Sequence, residues 1–122
     1  MSEAFQIRGG KQLHGEIKPQ GAKNEALQIL CAVLLTGEEV RIKNIPDIHD
    51  VNRLIEILGD FGVKITKNAH GDYTFKADNV NFDYIKSKEF KKDGARLRGS
   101  IMLLGPMLAR FGEAYMPTPG GD

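Results

Sequence analysis

Val51, Leu54, Ile55, Leu58 and Phe61 recur at i, i+3, i+4, i+7 and i+10, which is the apolar face of an amphipathic α-helix. Asp50 stands where it could cap that helix, and Gly59 and Gly62 mark its end. Upstream, Ala22 to Leu35 is dense in apolar helix formers. It predicts a buried helix, apolar on most faces, with Gln20-Gly21 as the turn leading in and Gly37 as the stop. Strict alternation predicts strands at Glu39 to Lys43, Val63 to Lys67 and Tyr73 to Ala77. Ile45-Pro46-Asp47 breaks the first, and Asn68 to Asp72 joins the other two as a hairpin turn. Alternation at Ala4 to Arg8 and Leu13 to Lys18, around Gly9-Gly10, predicts a further short hairpin at the start. The result is a helix–strand–helix–strand–strand unit.

The polar stretch Lys86 to Asp93 reads as a solvated linker, its four lysines interrupted by Glu89 and Asp93 rather than gathered into a nucleic-acid patch. Beyond it, Ala95 to Phe111 predicts a second long helix, kinked at Pro106 where a backbone donor is missing. This part resembles the earlier one. Gly94-Ala95-Arg96 matches Gly21-Ala22-Lys23, Met102-Leu103 matches Ile29-Leu30, Met107-Leu108 matches Leu34-Leu35, and Gly112-Glu113 matches Gly37-Glu38 after a two-residue slip. Common helix-capping chemistry would give a similar likeness. If the repeat is genuine, residues 21–93 are a complete unit and residues 94–122 the opening of a second, with residues 1–20 preceding both. The chain then reads as a fragment. The apolar side chains of the second helix, Leu97, Ile101, Met102, Leu104, Leu108 and Phe111, need cover from the first unit, a second copy or sequence outside this chain. Exposed strand edges would make self-association of a fragment a hazard.

Composition narrows the function classes. The 122 residues suit one core, and 17 Lys and Arg against 16 Asp and Glu leave a net charge of +1, too balanced for a general nucleic-acid binder. The apolar run Ile29 to Leu35 falls far short of the roughly 18 residues that a membrane span needs, and Met1-Ser2-Glu3 opens no signal peptide. A cytoplasmic protein with neither membrane nor nucleic-acid partner is expected. Cys31 is the single cysteine, so it forms no internal disulfide and reads as a small buried hydrophobe. His14, His49 and His70 share no metal-ligand spacing, and no metal or other cofactor is expected.

Three places could carry chemistry. Lys23-Asn24 falls in the first turn of the first helix, where free N–H groups and the dipole favour an anion. A lysine there opposes the dipole unless an anion compensates it; a solvated lysine beside a capping Asn24 is the plainer reading, which spacing alone favours. Arg96 and Arg98 stand at the corresponding place on the second helix, on different faces, so one at most reaches a given ligand. Pro117-Thr118-Pro119-Gly120-Gly121-Asp122 is a rigid segment running into a flexible turn that ends in a carboxylate, either a mobile active-site loop or a frayed end.

Ile7-Arg8-Gly9-Gly10-Lys11, Leu13-His14-Gly15-Glu16-Ile17, Gly21-Ala22-Lys23-Asn24-Glu25-Ala26-Leu27, Asn44 to Val51, Arg98 to Ile101, Leu104-Gly105-Pro106, Ala109 to Gly112 and Pro119-Gly120-Gly121 together resemble the enolpyruvyl transferases. The resemblance implies an α/β (α+β) fold of βαβαββ units, arranged in two inside-out barrel domains that close on substrate, with the strands of residues 1–20 packing in the other domain. It implies transfer of the enolpyruvyl group from phosphoenolpyruvate to the 3-hydroxyl of UDP-N-acetylglucosamine in peptidoglycan synthesis, with release of phosphate, through a tetrahedral intermediate. Matched position by position, Lys23 and Asn24 would meet phosphoenolpyruvate and Arg98 the UDP-sugar. Asp122 falls where most members carry a cysteine that donates a proton and is alkylated by fosfomycin. An aspartate can still deliver the proton but is a poor nucleophile, so insensitivity to fosfomycin is expected. A shikimate-phosphate acceptor fits the Gly-Ala-Lys-Asn segment less well. A non-catalytic anion-binding or interaction module is the alternative from another class.

Overall fold

The computed structural model of the chain describes residues 2–117. In chain order they form α1 (Lys23–Ala32), a 3-10 turn (Val33–Leu35), β1 (Glu39–Ile42), α2 (His49–Asp60), β2 (Lys64–Ala69) and β3 (Asp72–Lys76). There follow α3 (Phe82–Ile85), α4 (Lys88–Ala95), a 3-10 segment (Arg98–Leu103) and α5 (Leu104–Phe111). The helix–strand–helix–strand–strand unit read from the sequence is present, and the fold is mixed α and β around one sheet.

The sheet has the order β1-β3-β2, with β3 antiparallel to both neighbours. Register follows the pattern of apolar residues: Val40 and Ile65 face Phe75, and Ile42 faces Tyr73. Because side chains alternate along a strand, this apolar row covers one face, while Arg41, Thr66 and Thr74 lie on the other. Phe75 is fully buried against the helices. The hairpin turn is tighter than the predicted Asn68–Asp72, since both strands run on to His70-Gly71, where Gly71 has φ +70°.

The apolar face of α2 is nearly as read: Val51, Leu54, Leu58 and Phe61 are buried, Ile55 is only partly so, and Ile57, which the spacing left out, is fully buried. Its start differs from expectation. Ile48 holds the cap position without any side-chain bond, and Asp50 sits inside the first turn. The first helix also departs: Leu27, Leu30 and Cys31 are buried, but Ile29 and Leu35 are exposed, so it is amphipathic rather than apolar on most faces.

The predicted linker is helical. Asn81 caps α3 by accepting from the N–H groups of Asp83 and Tyr84, and Ser87 caps α4 by accepting from Phe90. The lysines of α4 face solvent while Phe90 is fully buried, 5.1 Å edge-on to Phe61 and 6.0 Å from Tyr84. The aromatic cluster supplies burial that the average polarity of the stretch conceals.

The continuous helix Ala95–Phe111 is corrected to two segments. Gly94 and Ala95 close α4 and Arg96 is its C-cap, so the Gly-Ala-cation start seen at Gly21 does not recur as a helix start. Ser100 Oγ donates to the Gly94 carbonyl at 2.7 Å, and the Ser100 N–H donates to Leu97 O. These bonds wind Arg98–Leu103 as a 3-10 segment. Pro106 therefore falls in the first turn of α5, where a missing N–H costs nothing and no kink is needed. The residues turned inward are Leu97, Leu103 and Met107; Ile101, Met102 and Leu108 face outward.

The N-terminal hairpin does not form. Among residues 2–22 there is no strand, and Phe5, Ile7, Leu13 and Ile17 are almost fully exposed. Alternation yields a strand only where a sheet edge receives it, and neither edge of this sheet does.

Arg110 ties the two parts together. Its Nη1 donates to the carbonyls of Leu34 (3.1 Å) and Ala77 (2.8 Å), joining α5 to the ends of the first helix and of β3. A Cβ at Gly37 would stand 3.1 Å from Nη2, so the small residue leaves room for the guanidinium. Replacing Arg110 by Met should lower stability in denaturant unfolding by about 2 kcal/mol, because two carbonyls lose a charged donor; a change within about 0.5 kcal/mol would contradict this role.

On the polar face, Arg41 grips Asp72 through two bonds of 3.0 and 2.7 Å, and this fork holds the carboxyl down to about 2. A carboxyl more acidic in the folded than in the unfolded chain stabilises in full above its ordinary range near pH 4 and loses that contribution as pH falls towards 2. The stability difference between the protein and its Asp72→Asn variant should be present at pH 7 and gone by about pH 2. A difference independent of pH would contradict it.

Candidate functional site

α1 begins where two loops meet. Asn44, the residue after β1 and its successor Lys43, takes φ +60° and presses its carbonyl against Gly21. A Cβ on Gly21 would collide with that carbonyl, so only glycine lets the β1 loop seat the start of α1 there. The cap residue of α1 is Ala22, which offers no side-chain bond to the N–H groups of the first turn. Asn24 is exposed within that turn and does not cap it, contrary to the plainer reading. These donors and the positive end of the dipole face outward.

Lys23, the first residue of α1, meets Asp50 of α2 at 2.8 Å between Nζ and Oδ2, both side chains about half exposed. The sequence offered Asp50 only as a cap. The missed signal is that Arg53, its natural partner one turn on, has two acids of its own. Arg53 donates to Glu56 at 2.7 Å and to Asp93 of α4 at 2.5 Å, and these bonds push its pKa up. Tyr84 lies 3.3 Å from both Asp60 and Asp93; burial first, then these carboxylates, drive its pKa up. Its hydroxyl stays protonated and is a hydrogen-bond donor here.

The 3-10 segment lies along α1, and the Val33–Leu35 turn lies along α5. The two composite helices thus run in the same direction, with their N-terminal ends together. Gly99 makes the approach close: a Cβ there would stand 3.2 Å from Leu27 Cδ1. Gly99 is thus the residue that meets α1, while exposed Arg98 beside it lines a small cavity with Gly94, Ile101, Met116 and Pro117. Arg96 lines a cleft of about 330 Å³ with His49, Asp50, Asn52, Arg53 and Glu56 over Leu97. Asp50 therefore meets Lys23 on one side and shares a cleft with Arg96 on the other, and Arg98 is not brought into that cleft. Asp122 lies outside the described residues.

Cys31 is buried on α1 and its thiol is pushed up to about 12 by desolvation, so it is no nucleophile. Among the described residues no group of three or more His, Cys, Asp or Glu could hold a metal ion. No helix among them is long and apolar enough to cross a membrane.

Known proteins resemble this chain in sequence and in fold. The chain is 57% identical over 119 residues to a UDP-N-acetylglucosamine 1-carboxyvinyltransferase of Bacteroides fragilis, a match covering 98% of this chain and 27% of that protein. Its identity to the proteins of the same name is 56% in Bacteroides thetaiotaomicron and 55% in Porphyromonas gingivalis, with the same coverage. The chain thus spans about a quarter of the length of these curated relatives. Among solved structures, the enolpyruvyl transferase NikO from Streptomyces tendae superposes with a TM-score of 0.63 at 26% identity, over 87% of this chain and 24% of that one. The family described as EPSP synthase (3-phosphoshikimate 1-carboxyvinyltransferase) matches residues 7–122. With that match across nearly the whole sequence, the chain belongs to the EPSP synthase family of enolpyruvyl transferases.

Proposed function

We propose that the whole protein to which these residues belong transfers the enolpyruvyl group of phosphoenolpyruvate to the 3-hydroxyl of UDP-N-acetylglucosamine, releasing phosphate, as a cytoplasmic step of peptidoglycan synthesis. The observation that supports the reading is Lys23 at the uncapped start of α1, in a chain 57% identical to a relative named for that reaction. A cation placed against the helix dipole is costly by itself; the half-exposed Asp50 carboxylate offsets part of that cost and leaves room for a second anion. Phosphoenolpyruvate carries both a phosphate and a carboxylate, the kind of guest that the first-turn N–H groups and an ammonium can share.

In this reading Lys23 and Asn24 hold phosphoenolpyruvate and Arg98 contacts the UDP-sugar. The sugar hydroxyl adds to C2 of the enolpyruvyl group and gives up its own proton to solvent or to the departing phosphate, while C3 gains a proton supplied by the Asp122 carboxyl. The resulting tetrahedral adduct expels phosphate and returns the C3 proton, restoring the double bond on the new ether. Lys23 offsets the charge that gathers on phosphate as the adduct forms and breaks. Two apolar surfaces fit a larger whole. Phe5, Ile7, Leu13 and Ile17 would complete a sheet in the other domain, and Ile101, Met102 and Leu108 would be covered by sequence outside these 122 residues. These residues alone would not turn over.

The family description names 3-phosphoshikimate, which makes that compound the acceptor to compare. Phosphate release by the full-length protein should require UDP-N-acetylglucosamine and not proceed with 3-phosphoshikimate; the opposite preference would overturn the assignment. Lys23→Ala should lower kcat by about 100-fold or more while leaving the thermal midpoint unchanged. Unchanged kinetics would remove Lys23 from the site. Fosfomycin should leave the full-length protein active, because the Asp122 carboxylate opens the epoxide poorly, and Asp122→Cys should make it sensitive. Time-dependent inactivation of the unaltered protein would contradict the role given to Asp122.

A further inference from the structure

We propose that Asp50 is a positioning residue that holds the Lys23 ammonium in place before phosphoenolpyruvate arrives, an inference that rests on the reading of Lys23 given above. The contact joins the first turns of α1 and α2 across 27 residues of sequence, at 2.8 Å. Asp50 is free for it because it caps nothing, and because Arg53, one turn along the same helix, is held by Glu56 and Asp93. Both partners are about half exposed, so solvent screens the pair and it adds little to stability. Its effect is on Lys23 itself. A lysine side chain has large rotamer freedom, and a ligand that must fix it pays for that ordering in affinity. Asp50 fixes it in advance. An ammonium has three donors, and a carboxylate on one side leaves the others to an incoming phosphate or carboxylate. Asp50 itself is stabilised at the positive end of α2, so it remains in place when a second anion approaches.

The sign of the effect of Asp50 therefore depends on Lys23. With the ammonium present the carboxylate orients it; with the ammonium gone the same carboxylate repels the anion. The test uses the full-length protein, with phosphoenolpyruvate binding measured by calorimetry in the presence of a 3-deoxy analogue of UDP-N-acetylglucosamine, which cannot accept the group, alongside steady-state kinetics with the natural acceptor. Asp50→Ala should weaken phosphoenolpyruvate binding and lower its kcat/KM by about tenfold, with KM for the nucleotide sugar changed less than about twofold and the thermal midpoint unchanged. Asp50→Glu, which keeps the charge, should recover most of the loss. In a Lys23→Ala background, adding Asp50→Ala should tighten phosphoenolpyruvate binding. Equal weakening in both backgrounds, no change in either, or tighter binding when Lys23 is present would each overturn the proposal. A Lys23→Ala protein that binds phosphoenolpyruvate as well as the unaltered one would instead overturn the site reading beneath it, and the proposal with it.

Discussion

The guanidinium of Arg110, shared between the carbonyls of Leu34 and Ala77, fixes how the second part of the chain lies on the first. One charged group bonded to two backbone oxygens from different elements sets a position that apolar contact alone leaves free to slide. Gly37 makes room beside it, and Gly99 lets the other end of the pair close on Leu27. The two composite helices are held in parallel at both ends as a consequence. Their N-terminal turns then face the same way, as neighbouring ligands at Lys23 and at Arg98 would require.

Electrostatics at that shared end follow from what is absent as much as from what is present. Ala22 cannot cap α1, Ile48 cannot cap α2, and Asn24 points to solvent. Uncapped first turns leave donors free for an outside acceptor, which weakens a helix in isolation and suits one that binds an anion. Charges nearby are sorted in pairs: Arg53 with Glu56 and Asp93, and Lys23 with Asp50. The second pair is the solvent-open one, and it sits where the helix ends converge.

Much of this was legible in the sequence wherever one period dominated. The face of α2 and the pairing of β2 with β3 follow from spacing that no other structure would bury as well. The Lys88–Ala95 helix was obscured because its charged residues outnumber Phe90, and the evidence for it was local: Ser87 three residues before Phe90, and Asn81 before Phe82. The split of the second long helix was hidden because Gly94 and Ser100 act through a backbone carbonyl and a buried hydroxyl, neither of which leaves a periodic mark. The N-terminal alternation promised strands that need a partner these residues do not contain. Of the candidate site, Lys23 and Arg98 stand out in the sequence as cations at predicted helix starts. Asp50 was visible only as a cap, since a partner 27 residues distant is chosen by the fold.

If the site works as proposed, phosphoenolpyruvate rests at the start of α1 against Lys23 and the nucleotide sugar against Arg98. A crystal structure of the full-length protein with phosphoenolpyruvate and UDP-N-acetylglucosamine tests this most directly. Phosphate or carboxylate oxygens should lie within hydrogen-bond reach of Lys23 Nζ and Asn24, with the nucleotide sugar against Arg98. Both ligands bound elsewhere, with Lys23 still turned only to Asp50, would contradict it.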